Sequence, residues 1–316
     1  FLPASVATFH IINTFITGEI ELPGEKKVSL IHQFIERNNP IILSLTSQIG
    51  EENTAVISMN LARNTGSRLF VLRILNEQLK TSLDYNIERT LRDAAEESGV
   101  PCDYIDVRAP QTIDSSVTEI AEKTQAETII ISVPRDVFYG GHHTAQFIKW
   151  IEKIPNKKLI LISNPTKLIE PHHPPFRVLI PVLHEFHEGP FHLTKELTAH
   201  TPIPDVDIIA AKVVEFPSSV ELYSRFYPES MVVKSEEFSI LRRPAIKALR
   251  RHITPLTLFF QDMSKGIAHF IEERRIDMII MEGDWSEKNH GFLKKAERKI
   301  VKRAQCSIIV TLTPHI

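Results

Sequence analysis

The sequence predicts an α/β chain made of two doubly wound parallel-sheet domains, and three observations carry that expectation. Short, almost wholly apolar runs such as 41–45 and 127–132 read as strands buried on both faces. The stretches between them have helical spacing and are long enough for the crossovers that parallel strands require. The order then repeats: ETIIIS at 127–132 returns as DMIIME 150 positions later, and KLILISNP at 158–165 as SIIVTLTP 149 positions later.

Taken in order, 40–45 reads as a strand, and Glu51 to Gly66 as a helix carrying Ala55, Met59 and Ala62 on one face before a glycine stop. The strand 68–74 follows, then a long amphipathic helix over 77–98 closed at Gly99. Strand 102–107, helix 115–125, strand 127–132, helix 144–153 and strand 158–163 complete a first domain at 38–165. The segment NPTKLIEPHHPP has four prolines in twelve positions, which disfavours regular structure and makes a stiff linker, placed at 166–175. A second domain at 176–316 restarts with strand 176–182 and helix 190–200, then strand 207–214. Residues 215–238 lose periodicity and hold an insertion of 13 or 14 residues, since the starts of the halves are only 136 apart; SSVELYSRFYPES within them reads as a loop. Helix 240–251, strand 256–260, helix 266–274, strand 277–281, helix 292–304 and strand 307–312 finish the order.

With 316 residues, 37 basic against 39 acidic side chains and a net charge of -2, the chain has no concentrated positive field of the kind that phosphate-backbone binding needs, so no nucleic-acid partner is expected. Two cysteines, Cys102 and Cys306, make no disulfide scaffold; they read as strand-packing thiols in a reducing, cytoplasmic setting. Residues 1–37 match neither repeat. Phe1 to Gly18 contains no Lys, Arg, Asp or Glu, yet its Ser, Thr, Asn and His dilute it below a membrane span. It reads either as a processed end of a cytoplasmic protein or as a junction to something adjoining.

The chemistry-bearing letters are sparse. No G-x-S-x-G elbow, no G-x-x-x-x-G-K-S/T loop and no H-E-x-x-H occurs. His184, His187 and His192 with Glu185 and Glu188 form the densest cluster, which reads as a solvated loop and not as a metal site. Trp285, after Gly283-Asp284, suits either a ligand cap or a packing anchor. In 287–303 the apolar Phe292, Leu293, Ala296, Ile300 and Val301 mark one packed face, and the lysines and arginines around them make a basic remainder, open to solvent, an acidic protein or a membrane surface.

The last fifth of the chain carries a resemblance. The strand DMIIME, the loop with Gly283 and Gly291, the helix FLKKAERKIVKRAQ and a Cys-led final strand resemble the universal stress protein family in a tandem arrangement. In that final strand Ser307, after Cys306, stands where the family pattern has Pro, and the first half shows the outline through ESGV before CDYIDV and through Gly140-Gly141 after IIIS. The resemblance implies, for members that bind ATP, an acidic residue after the first strand and a Gly-x2-Gly-x9-Gly-Ser/Thr loop whose amides approach phosphate. This sequence departs from both: Thr46-Ser47 and Leu183-His184 follow the first strands, and the later glycine is missing after Gly140-Gly141. No cofactor is required by the sequence; ATP or another small nucleotide is the candidate that the resemblance supplies.

A doubly wound fold places a ligand at the carboxyl ends of its strands. The candidate site residues are therefore Thr46, Ser47, Gly140, Gly141 and His142 in one half, and His184, Glu185, Gly283, Asp284 and Gly291 in the other. No catalytic residue is nominated. The expected function is non-catalytic regulation or stress response, through sensing of a small ligand or without it, with the domains pairing within the chain or, through terminal strand 307–312, in a homodimer. The alternatives are the cytoplasmic C-terminal regulatory region of a membrane transporter and, third, an ATP-binding or hydrolysing protein.

Overall fold

The structure is a computed structural model that describes residues 41–45, 51–75, 82–108, 113–154, 157–164, 176–183, 186–198, 206–215, 230–234, 253–260 and 262–313. Segment 1–18, Thr46, Ser47, the linker 166–175, His184, Glu185, residues 218–229 and the helix expected at 240–251 lie outside the described residues.

In the first half, β1 (Ile41–Leu45), α1 (Glu51–Thr65), β2 (Leu69–Leu75), α2 (Ser82–Ser98), β3 (Cys102–Arg108), α3 (Ile113–Lys123), β4 (Thr128–Ser132), α4 (Thr144–Ile151) and β5 (Lys158–Ser163) alternate. The second half runs β6 (Phe176–Val182), α5 (Gly189–Thr198), β7 (Val206–Glu215), β8 (Ser230–Lys234), β9 (Ile253–Phe260), α6 (Met263–Glu273), β10 (Met278–Glu282), α7 (Lys295–Arg303) and β11 (Ser307–Leu312). Short 3-10 helices, Arg135–Tyr139 and Trp285–His290, follow β4 and β10.

The strands form one eleven-stranded sheet in the order β3-β2-β1-β4-β5-β11-β10-β6-β7-β9-β8. Five strands of each half stand in the same relative order, parallel within the half and mirrored about the centre, and β8 of the second half adds an eleventh at the edge. The repeat is visible even in backbone strain: Gln125 (φ 55°) and Arg275 (φ 49°), 150 positions apart, both take the left-handed conformation beyond helices α3 and α6. α2 is closed by Gly99, whose φ of 69° is open to glycine at no steric cost.

Two antiparallel ladders complete the sheet, one between the halves and one at its edge. At its centre β5 and β11 pair antiparallel, with Leu161 opposite Val310 in the middle of the ladder. At one edge β8 pairs antiparallel with β9, from Ser230 opposite Phe260 to Lys234 opposite Leu256. The strand β8 lies in the poorly periodic region 215–238, at the end of the stretch SSVELYSRFYPES read as the inserted loop, whose residues 218–229 lie outside the described ones. SMVVK is too short to show a period, but with β-formers Met231, Val232 and Val233 beside an open edge it can complete a ladder.

Alternation along the central strands divides the core between the sheet's two faces. Ile129, Ile131, Leu159, Leu161, Ile279, Met281, Ile308 and Val310 fill one face, while Ile130, Ile160, Ile162, Ile280 and Ile309 fill the other. Each cluster takes residues from both halves, so the apolar core runs without a break across the β5·β11 seam. On the second face α1 packs against α5, where Asn64 donates from Nδ2 to the Glu196 carbonyl at 2.6 Å and Lys158 pairs with the Glu196 carboxylate at 3.2 Å.

Candidate functional site: glycine loops at the seam

The loops after β4 and β10 are where Gly140, Gly141, His142, Gly283, Asp284 and Gly291 fall, and their backbone N–H groups decide what they can do. In the first loop the amide of Gly141 donates to the Asp136 carbonyl at 2.8 Å and that of Thr144 to the Gly141 carbonyl at 3.2 Å. The Asp136 carboxylate takes the His143 amide at 3.2 Å and its Nδ1 at 2.9 Å. His142 is exposed and stacks edge-on against His143, with ring centroids 5.3 Å apart.

The second loop is engaged in the same way. Gly283 donates to the Thr311 carbonyl at 2.8 Å, Asp284 to the Phe292 carbonyl at 2.7 Å and Gly291 to the Lys288 carbonyl at 3.1 Å. The Asp284 carboxylate caps the following 3-10 helix by accepting from the Ser286 amide at 2.8 Å, and the hydrogen bonds from Ser286 hold its pKa below the ordinary carboxylate value. A phosphate cradle needs amides aimed at open space; the amides of Gly141, Gly283, Asp284 and Gly291 are instead taken up by carbonyls of the chain itself.

The space beside Gly291 belongs to the other half. It adopts φ 92°, and a Cβ there would lie 2.4 Å from the Phe138 carbonyl carbon and 2.5 Å from the Val137 oxygen. The small residue thus lets two backbones meet across the seam. Phe138 and Phe292 are both fully buried; Phe147 and Trp285 meet Phe292 edge to face at 6.3 and 5.7 Å. Trp285 also donates its indole N–H to the Thr313 carbonyl at 2.8 Å, so of its two readings the structure supports the packing anchor. Sequence reasoning missed Arg135. From the first 3-10 helix its guanidinium donates across the seam to the carbonyls of Ala304 and Cys306, the latter at 2.7 Å. Burial lowers its pKa from the usual arginine value, and no spacing pattern in the sequence marks such a long-range contact.

The remaining crevice, at the ends of β6 and β10, holds a carboxylate of the chain's own. Glu282 ends β10, and its Oε2 lies 2.7 Å from where a Cβ on Gly189 would stand, beside the first turn of α5. Thr313 donates to its other oxygen at 3.4 Å, and His187 Nδ1 stands 3.9 Å away. An anion at a helix start is favourable. Among the described residues no group of three metal-ligating side chains converges; His192 pairs with Glu188 at 3.8 Å and His187 turns to Glu282. Cys102 and Cys306 are both free thiols, and burial pushes the Cys306 pKa up to about 12.

Strand order, crossovers and the antiparallel pairing of fifth strands together give a paired α/β fold of universal-stress-protein-like topology. No family model matches the sequence, and no curated protein matches it. Among solved structures, the chain is similar to the cytoplasmic domain of a prokaryotic cation chloride cotransporter, at TM-score 0.49 and 10% identity over 87% of this chain and 96% of that one. It is similar to a universal stress protein from Archaeoglobus fulgidus, at TM-score 0.47 and 12% identity over 89% and 98%. A protein of unknown function from Pseudomonas aeruginosa also matches, at TM-score 0.47 and 8% identity over 88% and 94%. These are likenesses of fold.

Proposed function

We propose that the chain is a non-catalytic regulatory module, cytoplasmic, in which two stress-protein-like halves form one rigid pair. The observation that supports it is the inward engagement of the glycine-loop amides in both halves, together with the Glu282 carboxylate beside α5. Loops that could have cradled phosphate serve as joints between the halves, and among the described residues no nucleophile with an oriented base stands at either. ATP or another nucleotide is thus not the expected ligand of these loops.

Two tryptophans report on the joints: Trp150 packs on Phe147 at 5.2 Å and Trp285 on Phe292. Titration of the purified chain with Mg-ATP is expected to leave tryptophan emission flat and to release no phosphate. A saturable change in emission accompanied by phosphate release overturns the proposal.

A second reading, the cytoplasmic region of a membrane transporter, is favoured by the composition of 1–18, which lacks any charged Lys, Arg, Asp or Glu. Among the described residues no helix is long and apolar enough to cross a membrane, so in that reading any span lies outside them. Fractionation of source cells with an antibody to the chain separates the two: carbonate-resistant membrane recovery selects the transporter, and recovery in the supernatant selects the free module.

A further inference from the structure

We propose that a cleft between α6 and α7, apart from the glycine loops, binds a small organic phosphate carrying two or more negative charges. The cleft has a volume of about 590 Å³ and is lined by Glu215, Asp262, Ser264, Lys299, Lys302 and Arg303. That volume lies within the range of small-molecule sites, roughly 300–1,000 Å³. The acidic wall of the cleft lies where β7 ends and α6 begins, and its basic wall is the second half of α7, which leads into the start of β11.

The two walls differ in how their charges are held. Lys299, Lys302 and Arg303 are exposed on one face of α7 at helical spacing, and among the described residues none of them forms an ion pair. Their neighbours are otherwise: Arg298 pairs with Glu287 at 3.6 Å, and Lys288 with Glu152 at 2.5 Å. On the facing wall the carboxylates are tied to the start of α6. Asp262 accepts from the Ser264 amide at 3.0 Å, its hydroxyl at 2.7 Å and the Lys265 amide at 3.1 Å; Glu215 faces the Met263 amide at 3.5 Å. The positive end of α6 offsets part of their charge, which leaves three unpaired cations as the cleft's main recognition element. Compact cations in a fixed row suit phosphate oxygens through charge-assisted hydrogen bonds.

Occupancy would bear on the seam, because α7 is the helix that carries it. Lys302 lies 5.9 Å from the Tyr139 ring centroid of the first half, and the residues just beyond α7, Ala304 and Cys306, accept Arg135.

Calorimetric titration of the full chain with inorganic pyrophosphate at low salt tests the proposal. Three proteins are compared: wild type, Lys299→Glu with Lys302→Glu, and a control with Lys149→Glu and Lys195→Glu, which changes net charge equally on exposed helix positions elsewhere. The cleft variant should bind about tenfold more weakly or worse, the scale of losing charge-assisted contacts, and the control should bind as wild type. Phosphatidylcholine vesicles with and without a phosphatidylinositol phosphate form the second arm. Pyrophosphate binding lost in the cleft variant assigns a free organic phosphate; vesicle binding alone, lost in the same variant, assigns a lipid headgroup. No binding in either arm, or equal loss in both variants, overturns the proposal. Binding that survives in the cleft variant and alters tryptophan emission overturns it too, and locates the anion at the glycine loops instead, against the reading of those loops as closed joints.

Discussion

At the residue scale, two glycines of positive φ separate conformational strain from crowding. Gly99 has φ 69° and open space where a Cβ would go; Gly291 has φ 92° and the Phe138 backbone at 2.4 Å. Gly99→Ala is expected to cost about 1–2 kcal/mol, the left-handed penalty alone. Gly291→Ala should cost distinctly more, because the seam must also open, and urea midpoints of the two variants measure the difference. Cys306 gives a second test. Its buried thiol stays neutral until about pH 12, so its raised pKa contributes stability in full below the unfolded thiol pKa of about 9, and that contribution fades as pH rises from 9 towards 12. Cys306→Ala should flatten this alkaline loss in pH-dependent melts. At neutral pH a thiol reagent should modify the half-buried Cys102 first and Cys306 only on unfolding, since both pKa values are raised by burial.

At the element scale, the first 3-10 helix is held to the end of α7 by one side chain. Replacing Arg135 with Ala removes the donors to two carbonyls at the seam and should destabilise the chain by about 2–3 kcal/mol, read as a lowered urea midpoint. The sequence made the elements on either side of this contact legible. The final strand at 307–312 was legible to the residue, because its run is apolar on both faces and bounded by polar turns. The helix before it was expected from 292, whereas α7 starts at Lys295; Phe292 takes φ 63° and, with Leu293, is buried ahead of the first helical turn. Their spacing fitted a helical face, but the driving contact was the other half's aromatic cluster, which no local period reveals.

For the whole molecule, the 150- and 149-residue offsets foretold the repeated order of strands, because buried parallel strands need continuous apolar runs wherever they recur. How the site is used was not legible. Glycines that admit a neighbouring backbone and glycines that admit a phosphate are the same letters, and only the direction of their amides tells them apart. The cleft was equally hidden: the spacing of its lysines marks a basic helix face open to solvent, an acidic protein or a membrane surface, and no local pattern shows that α6 lies opposite. The seam predicts that fragments 40–164 and 176–313, refolded together, will elute as a 1:1 complex in size-exclusion chromatography, each capping the other's unpaired fifth strand. Fusion of the halves has a consequence for how their contact can change over generations. In a symmetric dimer the middle of such a ladder faces its own copy, so every substitution arrives twice and must tolerate itself. Here Leu161 faces Val310, and Ser163 faces Ile308. A bulky residue on one strand can be answered by a small one on the other, and each half is free to specialise while the fit between them is kept.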